Sequence, residues 1–254
     1  MFIYFNFAED LMSRYSSVQQ LFVEVNSSIG QIESLYEEAR TDETKNFDYN
    51  VKVKNTLENL RSALDFIASD ISEYTKISGR GGRVYFPYGN NDADFRSSIG
   101  RSFPGLQNSN IDIYNALESF QTHKTGDSIV VDMCMLTNSN KHNNLSKYVR
   151  VNSPESNIAI GNFVSLGDGG SVTFTNSMYG GKMIGIGGHA KINGQMTAAE
   201  ARKRFNIDID IVKEFLWVRF DIGGKNVDVL DFLKRSYAVS LNIVNAIYSI
   251  IPKV

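Results

Sequence analysis

The segment from Leu11 to Ala39 reads LMSRYSSVQQLFVEVNSSIGQIESLYEEA and carries the clearest structural signal of the chain. Its apolar residues recur in alternating steps of four and three, which is the spacing of one buried stripe on a long amphipathic helix. The stripe consists of Leu11, Tyr15, Val18, Phe22, Val25, Ile29, Ile32, Tyr36 and Ala39. We therefore predict a helix from about Phe7 to Arg40.

Two further apolar stripes predict that both ends of the chain form one helical bundle. The first marks a second long helix that ends near Gly79, after Leu57, Leu60, Leu64, Ile67, Ile71 and Tyr74. The second marks a final helix that begins near Asn226 and is stopped by Pro252. The first two helices form an antiparallel hairpin, and the final helix is expected to return to it.

The chain between the helical ends has a different texture. Short apolar or alternating runs are separated by glycines, which predicts a small antiparallel sheet, with a short helix from Thr197 to about Phe205. The predicted fold class is α+β, a helical bundle formed by N-terminal and C-terminal helices with an inserted small antiparallel β-sheet. The predicted division is a helical portion at 1–144, a sheet insertion at 145–224 and a returning helix at 225–254.

The stretch between the second helix and the sheet is predicted to contain little regular structure at first and then more helix. Residues 79–110 are rich in Gly, Pro and Asn and have no sustained period, which indicates a long connection. A shorter helix is predicted from about Ile111 to Gln121, capped by Asn110. Another is predicted over Ser128 to Asn138, although a strand is an alternative there.

Composition excludes several classes of protein. With 26 basic and 28 acidic residues, the net charge of −2 argues against bulk electrostatic binding to nucleic acid, although local basic patches can still exist. One cysteine and 3 histidines cannot form a disulfide or an ordinary Cys/His zinc site, and we predict no metal and no cofactor. No run is long enough to span a membrane, and the N-terminus lacks the marks of a signal peptide, so we expect a cytoplasmic protein with no membrane contact.

The second predicted helix carries the first candidate site, Asn59-Leu-Arg61-Ser-Ala-Leu-Asp65. A guanidinium next to a carboxylate can hold a phosphate, with Asn59 adding neutral hydrogen bonds. The alternative is that the Arg61 and Asp65 side chains, one turn apart, form an ion pair that ties helices together.

The second candidate site follows a buried apolar run and includes Asn138, Asn140, Lys141 and His142. A histidine can move a proton near neutral pH, and an adjacent ammonium can stabilise a developing anionic oxygen. Those groups suffice for metal-independent RNA cleavage, in which the 2′-hydroxyl attacks. The alternative is a helix end whose polar side chains satisfy free carbonyl groups and start a turn.

These motifs, in this order, resemble a family of uncharacterised bacterial proteins. Its members carry an N-L-R-S-A-L-D-H helix and a downstream N-x-D-K-H-R segment, and the resemblance covers roughly residues 50–145. The family is similar, more distantly, to HEPN domains, helical units of toxin and phage-defence systems in which an R-x4-6-H motif cleaves RNA across a homodimer. The sequence departs from both patterns, with Phe66, Asn140 and Asn143 at the positions of the family's His, Asp and Arg.

The resemblance implies an RNA-cleaving or RNA-binding protein of a toxin–antitoxin or phage-defence system. As a metal-independent endoribonuclease it would use Arg61 and Lys141 on phosphate and His142 for proton transfer, with Asn59, Asp65, Asn138 and Asn140 orienting them and His123 as a second histidine. This requires Arg61 and His142 to meet in space. The alternative is a non-catalytic interaction or sensor module that binds a protein, a small ligand or a second copy of the chain.

A basic loop is the remaining candidate for phosphate contact. Residues 76–101 contain five basic and two acidic residues among several glycines. Such a loop can contact phosphates, or it can simply be solvent-exposed.

Overall fold

The computed structural model of the chain describes residues 9–142, 145–223 and 226–251, with the backbone alone for residues 9–13 and 141–142. Long helices lie at both ends and small antiparallel sheets lie between them, so the predicted α+β class is confirmed. The chain divides into two compact units. The helical unit contains the described residues up to Gly30, Tyr49–Lys147 and those from Leu230, and the sheet unit contains Gln31–Asp48 and Tyr148–Val229.

The long predicted helices are present close to their expected bounds. In chain order the α-helices are α1 (Glu9–Thr41), α2 (Asn50–Thr75), α3 (Asp92–Ser102), α4 (Leu106–Ser109), α5 (Ile111–Ser119), α6 (Thr122–Thr125), α7 (Ile129–His142), α8 (Ala198–Phe205) and α9 (Val229–Ile250). A single 3-10 turn covers Arg80–Gly82. The alternative of a strand for the apolar run at 129–136 is wrong, because this run is part of α7.

The core of the helical unit is built from the predicted stripes. Aromatic pairs join α1 to α9: Tyr15 lies 4.9 Å from Tyr248 and Phe22 lies 5.4 Å from Tyr237, measured between ring centroids. The return of the final helix to the N-terminal hairpin is therefore confirmed. The fully buried side chains include Val18, Val25, Leu57, Leu60, Leu64, Ile67, Ile71, Met133, Ile243 and Ile247.

A buried polar group also connects these helices. The Asp70 carboxylate is 1% exposed and accepts hydrogen bonds from Arg14 and from the Tyr248 hydroxyl. Burial raises the pKa of Asp70, and the two hydrogen bonds oppose the shift without reversing it. Asp70 therefore links α1, α2 and α9 through two hydrogen bonds, although its burial still disfavours the ionised carboxylate.

The predicted unstructured connection at 79–110 is wrong in part, since it contains α3 and α4. The buried face of α3 consists of Phe95, Ser98, Ile99 and Ser102, and half of these are serines. Small polar residues on the buried face hide the apolar period, which explains why the sequence does not indicate a helix. The start of α3 is fixed by Asn91, whose side-chain oxygen accepts a hydrogen bond from the backbone N–H of Asp94.

The sheet unit consists of small antiparallel sheets of two or three strands rather than one continuous sheet. The strands are β1 (Tyr148–Asn152), β2 (Ser156–Ile160), β3 (Val164–Gly167), β4 (Ser171–Thr175), β5 (Met178–Tyr179), β6 (Lys182–Met183), β7 (His189–Asn193), β8 (Ile211–Phe215) and β9 (Val218–Ile222). Within the described residues β1 pairs with β9, β2 lies between β3 and β8, β4 pairs with β7, and β5 pairs with β6.

The core of this unit lies between its strands and α8. The start of α8 is the predicted one, because Thr197 and Glu200 form a reciprocal capping box. Its Phe205 is fully buried in a cluster with Ile158, Ile192 and Ile211 from three strands. The short α8 therefore covers one side of a small apolar core.

No helix in the described part of the chain is long and apolar enough to cross a membrane. The predicted boundaries at 144/145 and 224/225 stay predictions.

Candidate functional site

The Arg61 side chain lies inside the helical unit. It is 12% exposed, and its Nε donates a hydrogen bond to Asp65 at 3.3 Å, one turn further along α2. Its guanidinium carbon lies 5.0 Å from the centroid of the Tyr88 ring, within the range of a cation–π contact. Its Nη1 is buried without a hydrogen-bond partner in the described part of the chain. Arg61 is thus an enclosed guanidinium held by one carboxylate and one aromatic ring.

The sulfur of Cys134 on α7 faces this guanidinium. Burial raises the pKa of the Cys134 thiol to about 11, and the charge of Arg61 opposes that shift. A thiol with such a pKa is protonated at neutral pH and is a poor nucleophile. Cys134 is therefore a buried, protonated thiol that interacts electrostatically with the guanidinium.

The Asp65 carboxylate has a second function besides its pair with Arg61. Its Oδ1 accepts a hydrogen bond of 3.0 Å from the backbone N–H of Phe86, whose side chain is 1% exposed. Asp65 thereby fixes the chain segment that leads from α2 to α3. The predicted Arg61–Asp65 motif therefore contains an ion pair within α2 and a hydrogen bond from the following loop to that helix.

Further side chains hold the same segment, residues 86–89. The fully buried Gln121 accepts a hydrogen bond from the Gly89 N–H at 3.2 Å and donates one to the Pro87 carbonyl at 3.3 Å. Gly89 lies so close to α3 that a Cβ there would be 2.3 Å from the backbone nitrogen of Phe95. Residues 86–89 are therefore rigidly placed against α2, α3 and the end of α5.

The structure brings three of the predicted site residues together around Tyr88. Arg61 stacks on its ring, Asp65 pairs with Arg61, and the Asn138 amide donates a 3.4 Å hydrogen bond to its hydroxyl. Tyr88 was missed by sequence reasoning, because a single tyrosine in a loop gives no local signal of a partner 50 residues away.

The other predicted residues have different positions. Asn59 is half-buried on α2. Asn140 is buried, and its side-chain oxygen accepts hydrogen bonds from the N–H and hydroxyl of Ser146, which supports the alternative that this segment closes a helix end. Lys141 and His142 form the end of α7, and their side chains lie outside the described part of the structure. The meeting of Arg61 with His142 stays a prediction.

His123 lies on α6 in a separate cluster with two carboxylates. Its Nε2 is 3.6 Å from Glu118 and 3.7 Å from Asp92. The side chains of His123 and Glu118 are 16% and 14% exposed. His123 is therefore a partly enclosed imidazole between two acids.

A basic surface lies on the connection between α2 and α3. Residues 76–90 contain three basic residues and no acidic residue. The backbones of Arg83 and Arg101 are close, because a Cβ built on Gly79 would lie 1.9 Å from the Arg83 oxygen and 3.2 Å from the Arg101 oxygen. We define the basic surface as the exposed side chains of Tyr74, Lys76, Arg80, Arg83, Tyr85 and Arg101.

The four cations of this surface lack ion-pair partners in the part of the chain that the structure describes. Among the described residues, none of Lys76, Arg80, Arg83 and Arg101 forms an ion pair, whereas Arg96 on α3 is held by Asp92 at 2.8 Å. Arg83 and Tyr85 also line a surface pocket of about 400 Å³ with Arg14, Ser69, Ser72 and Glu73. That volume lies within the range of small-ligand pockets.

No protein-family model, curated protein or solved structure matches the chain. The chemistry of the described side chains is consequently the basis for assigning a function.

Proposed function

We propose that the chain binds single-stranded RNA through the basic surface. The observation that carries this proposal is the set of four exposed cations without ion pairs among the described residues, beside the exposed rings of Tyr74 and Tyr85. The whole chain has a net charge of −2, so attraction to a polyanion must come from such a local patch.

The residue types of this surface suit a single strand. Arginine side chains bind phosphate oxygens in a bidentate manner, which fixes the backbone of the nucleic acid. Tyr85 is 54% exposed and Tyr74 is 42% exposed, so each ring has a free face on which a base can stack. Stacking of this kind tolerates any base, and we expect binding with little sequence preference.

The Arg61 motif serves this function as a scaffold. Arg61 is 12% exposed, too enclosed for its guanidinium to reach a phosphate on the surface without rearrangement. Its partner Asp65 instead fixes Phe86, the residue that follows Tyr85 in the basic surface. The motif thereby orders the segment that presents Arg83 and Tyr85.

Cleavage of the bound RNA, as expected of a toxin or phage-defence protein, needs more than the basic surface. It requires a proton-transfer group beside the bound phosphate. The candidates from the sequence, Lys141 and His142, have side chains outside the described part of the structure. We therefore propose binding as the function and treat cleavage as an outcome of its test.

The test is fluorescence anisotropy with a labelled 20-nucleotide single-stranded RNA at low salt. We expect the double variant Arg80→Ala, Arg83→Ala to bind at least tenfold more weakly than the parent. The control Lys191→Ala removes one positive charge from an exposed position of β7 in the sheet unit and should bind like the parent. Equal affinity of the parent and the double variant would refute the proposal.

Cleavage is tested in the same samples. The RNA is recovered after incubation with EDTA and separated on a denaturing gel, beside samples with His142→Ala. Fragments made by the parent and lost in His142→Ala establish a ribonuclease that uses this histidine. If the RNA stays intact in a sample that shows binding, the protein binds RNA without cleaving it.

A second candidate, an interaction module that binds a protein, is favoured by a different observation in the sheet unit. The β5–β6 hairpin and the residues after it expose large apolar side chains: Met178 is 59%, Met183 is 49% and Ile186 is 76% exposed. Contiguous exposed apolar side chains are typical of contact surfaces. If the partner is a second copy of the chain, light scattering will show a concentration-dependent dimer that Ile186→Glu abolishes, and a monomer at all concentrations excludes self-association.

A further inference from the structure

Three side chains with metal-binding atoms converge at one place in the helical unit. Asp92 begins α3, Glu118 lies near the end of α5, and His123 lies on α6. One potential ligand atom from each lies within 4.8 Å of the other two. From this arrangement we propose that Asp92, Glu118 and His123 form a binding site for a divalent transition-metal ion.

The distances agree with metal coordination better than with direct hydrogen bonding. The His123 Nε2 is 3.6 Å from Glu118 Oε1 and 3.7 Å from Asp92 Oδ1, both beyond the range of a hydrogen bond. Ligands about 2.0–2.2 Å from a tetrahedral Zn²⁺ are separated from one another by roughly 3.3–3.6 Å, as tetrahedral geometry requires. The two distances from His123 therefore lie within a few tenths of an ångström of the values for coordination, and the ligand atoms of Asp92 and Glu118 lie within 4.8 Å of each other.

The imidazole of His123 is the second observation that indicates a ligand. Both of its ring nitrogens are buried, and neither has a hydrogen-bond partner among the described residues. Buried polar atoms are almost always paired in folded proteins, so two orphaned nitrogens on one ring call for an explanation. A metal ion on Nε2 satisfies that nitrogen, and a water molecule can serve Nδ1.

Other side chains around the cluster are arranged like an outer shell. The ring of His123 lies 5.9 Å from that of Phe95, which limits its rotation. The Tyr114 hydroxyl donates a 3.4 Å hydrogen bond to Glu118 Oε1, the oxygen that also faces His123. Groups that orient metal ligands in this way raise metal affinity.

Two cations already neighbour these carboxylates, and one of them, Arg96, must give up its contact with Asp92 Oδ1 when that oxygen binds a metal. Lys124 pairs with Glu118 Oε2, and it is Oε1 that faces His123. Arg96 contacts both oxygens of Asp92 and can stay on Oδ2 when Oδ1 binds a metal. Arg96 and Lys124 are about half exposed, and such ion pairs rearrange easily.

The ligand set indicates the class of metal. Imidazole nitrogen favours Zn²⁺ and other first-row transition ions, whereas Mg²⁺ prefers oxygen ligands alone. Three protein ligands leave a tetrahedral ion with one open position for water, which is the arrangement of catalytic rather than structural zinc. The site is built from residues outside the basic surface, so it is independent of the proposed RNA binding.

The experiment is calorimetric titration of Zn²⁺ into the full, untagged chain after treatment with a chelator, with Mg²⁺ titrated in parallel. We expect one Zn²⁺ per chain, a rise in melting temperature on binding, and much weaker binding of Mg²⁺. His123→Ala should lose the binding, and Asp92→Asn should weaken it by at least the roughly 10- to 100-fold that loss of an outer-shell partner costs. The matched control is His189→Ala, which removes an exposed histidine of the sheet unit and should bind Zn²⁺ like the parent.

Two results would overturn the proposal. One is a parent that binds no Zn²⁺ at micromolar concentration. The other is His123→Ala that binds Zn²⁺ with the affinity of the parent, which would mean that the ion binds elsewhere. If His123→Ala does not fold, as judged by circular dichroism, Glu118→Gln replaces it, since this change keeps the shape of the side chain and removes the charged ligand.

Discussion

Replacement of Asp65 separates its two structural contacts and measures what each contributes to the stability of the helical unit. The carboxylate pairs with Arg61 at 3.3 Å and accepts a hydrogen bond from the Phe86 N–H at 3.0 Å. Asp65→Asn keeps an acceptor for Phe86 and removes the charge beside Arg61. Asp65→Ala removes both contacts.

The magnitudes follow from the burial of the groups left behind. In Asp65→Asn an arginine that is 12% exposed loses its carboxylate. Loss of a hydrogen bond to a charged group costs about 1.5–3 kcal/mol, and because Asp65 is 30% exposed, screening by water places the cost near about 1–2 kcal/mol. Asp65→Ala adds an unsatisfied Phe86 N–H at about 1–3 kcal/mol, so we expect a total loss of about 2–5 kcal/mol.

The assay is urea unfolding followed by circular dichroism, with the free energy of unfolding extrapolated to water. The control is Glu24→Gln, which makes the same change of charge on the exposed face of α1 and should alter stability by less than about 0.5 kcal/mol. If Asp65→Ala is as stable as the control, Asp65 does not anchor Phe86. The scaffold role of the motif would then be wrong.

Three further predictions test other features of the structure. Burial raises the pKa of Cys134 to about 11, so a thiol reagent at pH 8 should label it only after unfolding, and rapid labelling of the folded chain would contradict its enclosure. Burial also raises the pKa of Asp70, so the folded state binds its proton at a higher pH than the unfolded state does. The parent should therefore gain stability relative to Asp70→Asn as the pH falls through the raised pKa. Parallel thermal melts of the two proteins from pH 7 to pH 4 will measure this gain. A difference in melting temperature that stays constant over this range would exclude the shift. Gly89→Ala should lower the melting temperature, because its Cβ would lie 2.3 Å from the Phe95 nitrogen. Gly30→Ala places its Cβ in open space on α1 and should raise the melting temperature slightly. A melting temperature of Gly89→Ala above that of Gly30→Ala would contradict the packing.

The parts of the fold with a regular apolar period could be predicted from the sequence. The stripe of α1 predicts a helix over residues 7–40, and the structure has Glu9–Thr41. The capping residues Thr197 and Glu200 also predict the start of α8. Both signals depend only on residues that are close together in the sequence. In contrast, α3 could not be predicted, because serines occupy half of its buried face.

The candidate site could be predicted only where its residues are neighbours on one helix. Arg61 and Asp65 are one turn apart, and the predicted ion pair is present. The position of Tyr88 over Arg61 depends on the path of the loop, which no periodicity describes. Likewise Asp92, Glu118 and His123 meet because three short helices pack together, and a search for Cys and His ligands alone does not find them.

The most direct test of the proposed function is the salt dependence of RNA affinity. Each phosphate contact to a single strand contributes about −0.7 to the slope of log affinity against log salt concentration. If Arg80 and Arg83 each contact a phosphate, the double variant Arg80→Ala, Arg83→Ala should have a slope flatter than that of the parent by about 1.4, while folded Arg61→Gln should keep the parent's slope. A slope unchanged in the double variant and flattened in Arg61→Gln would place the phosphate at Arg61 and contradict the assignment of the basic surface.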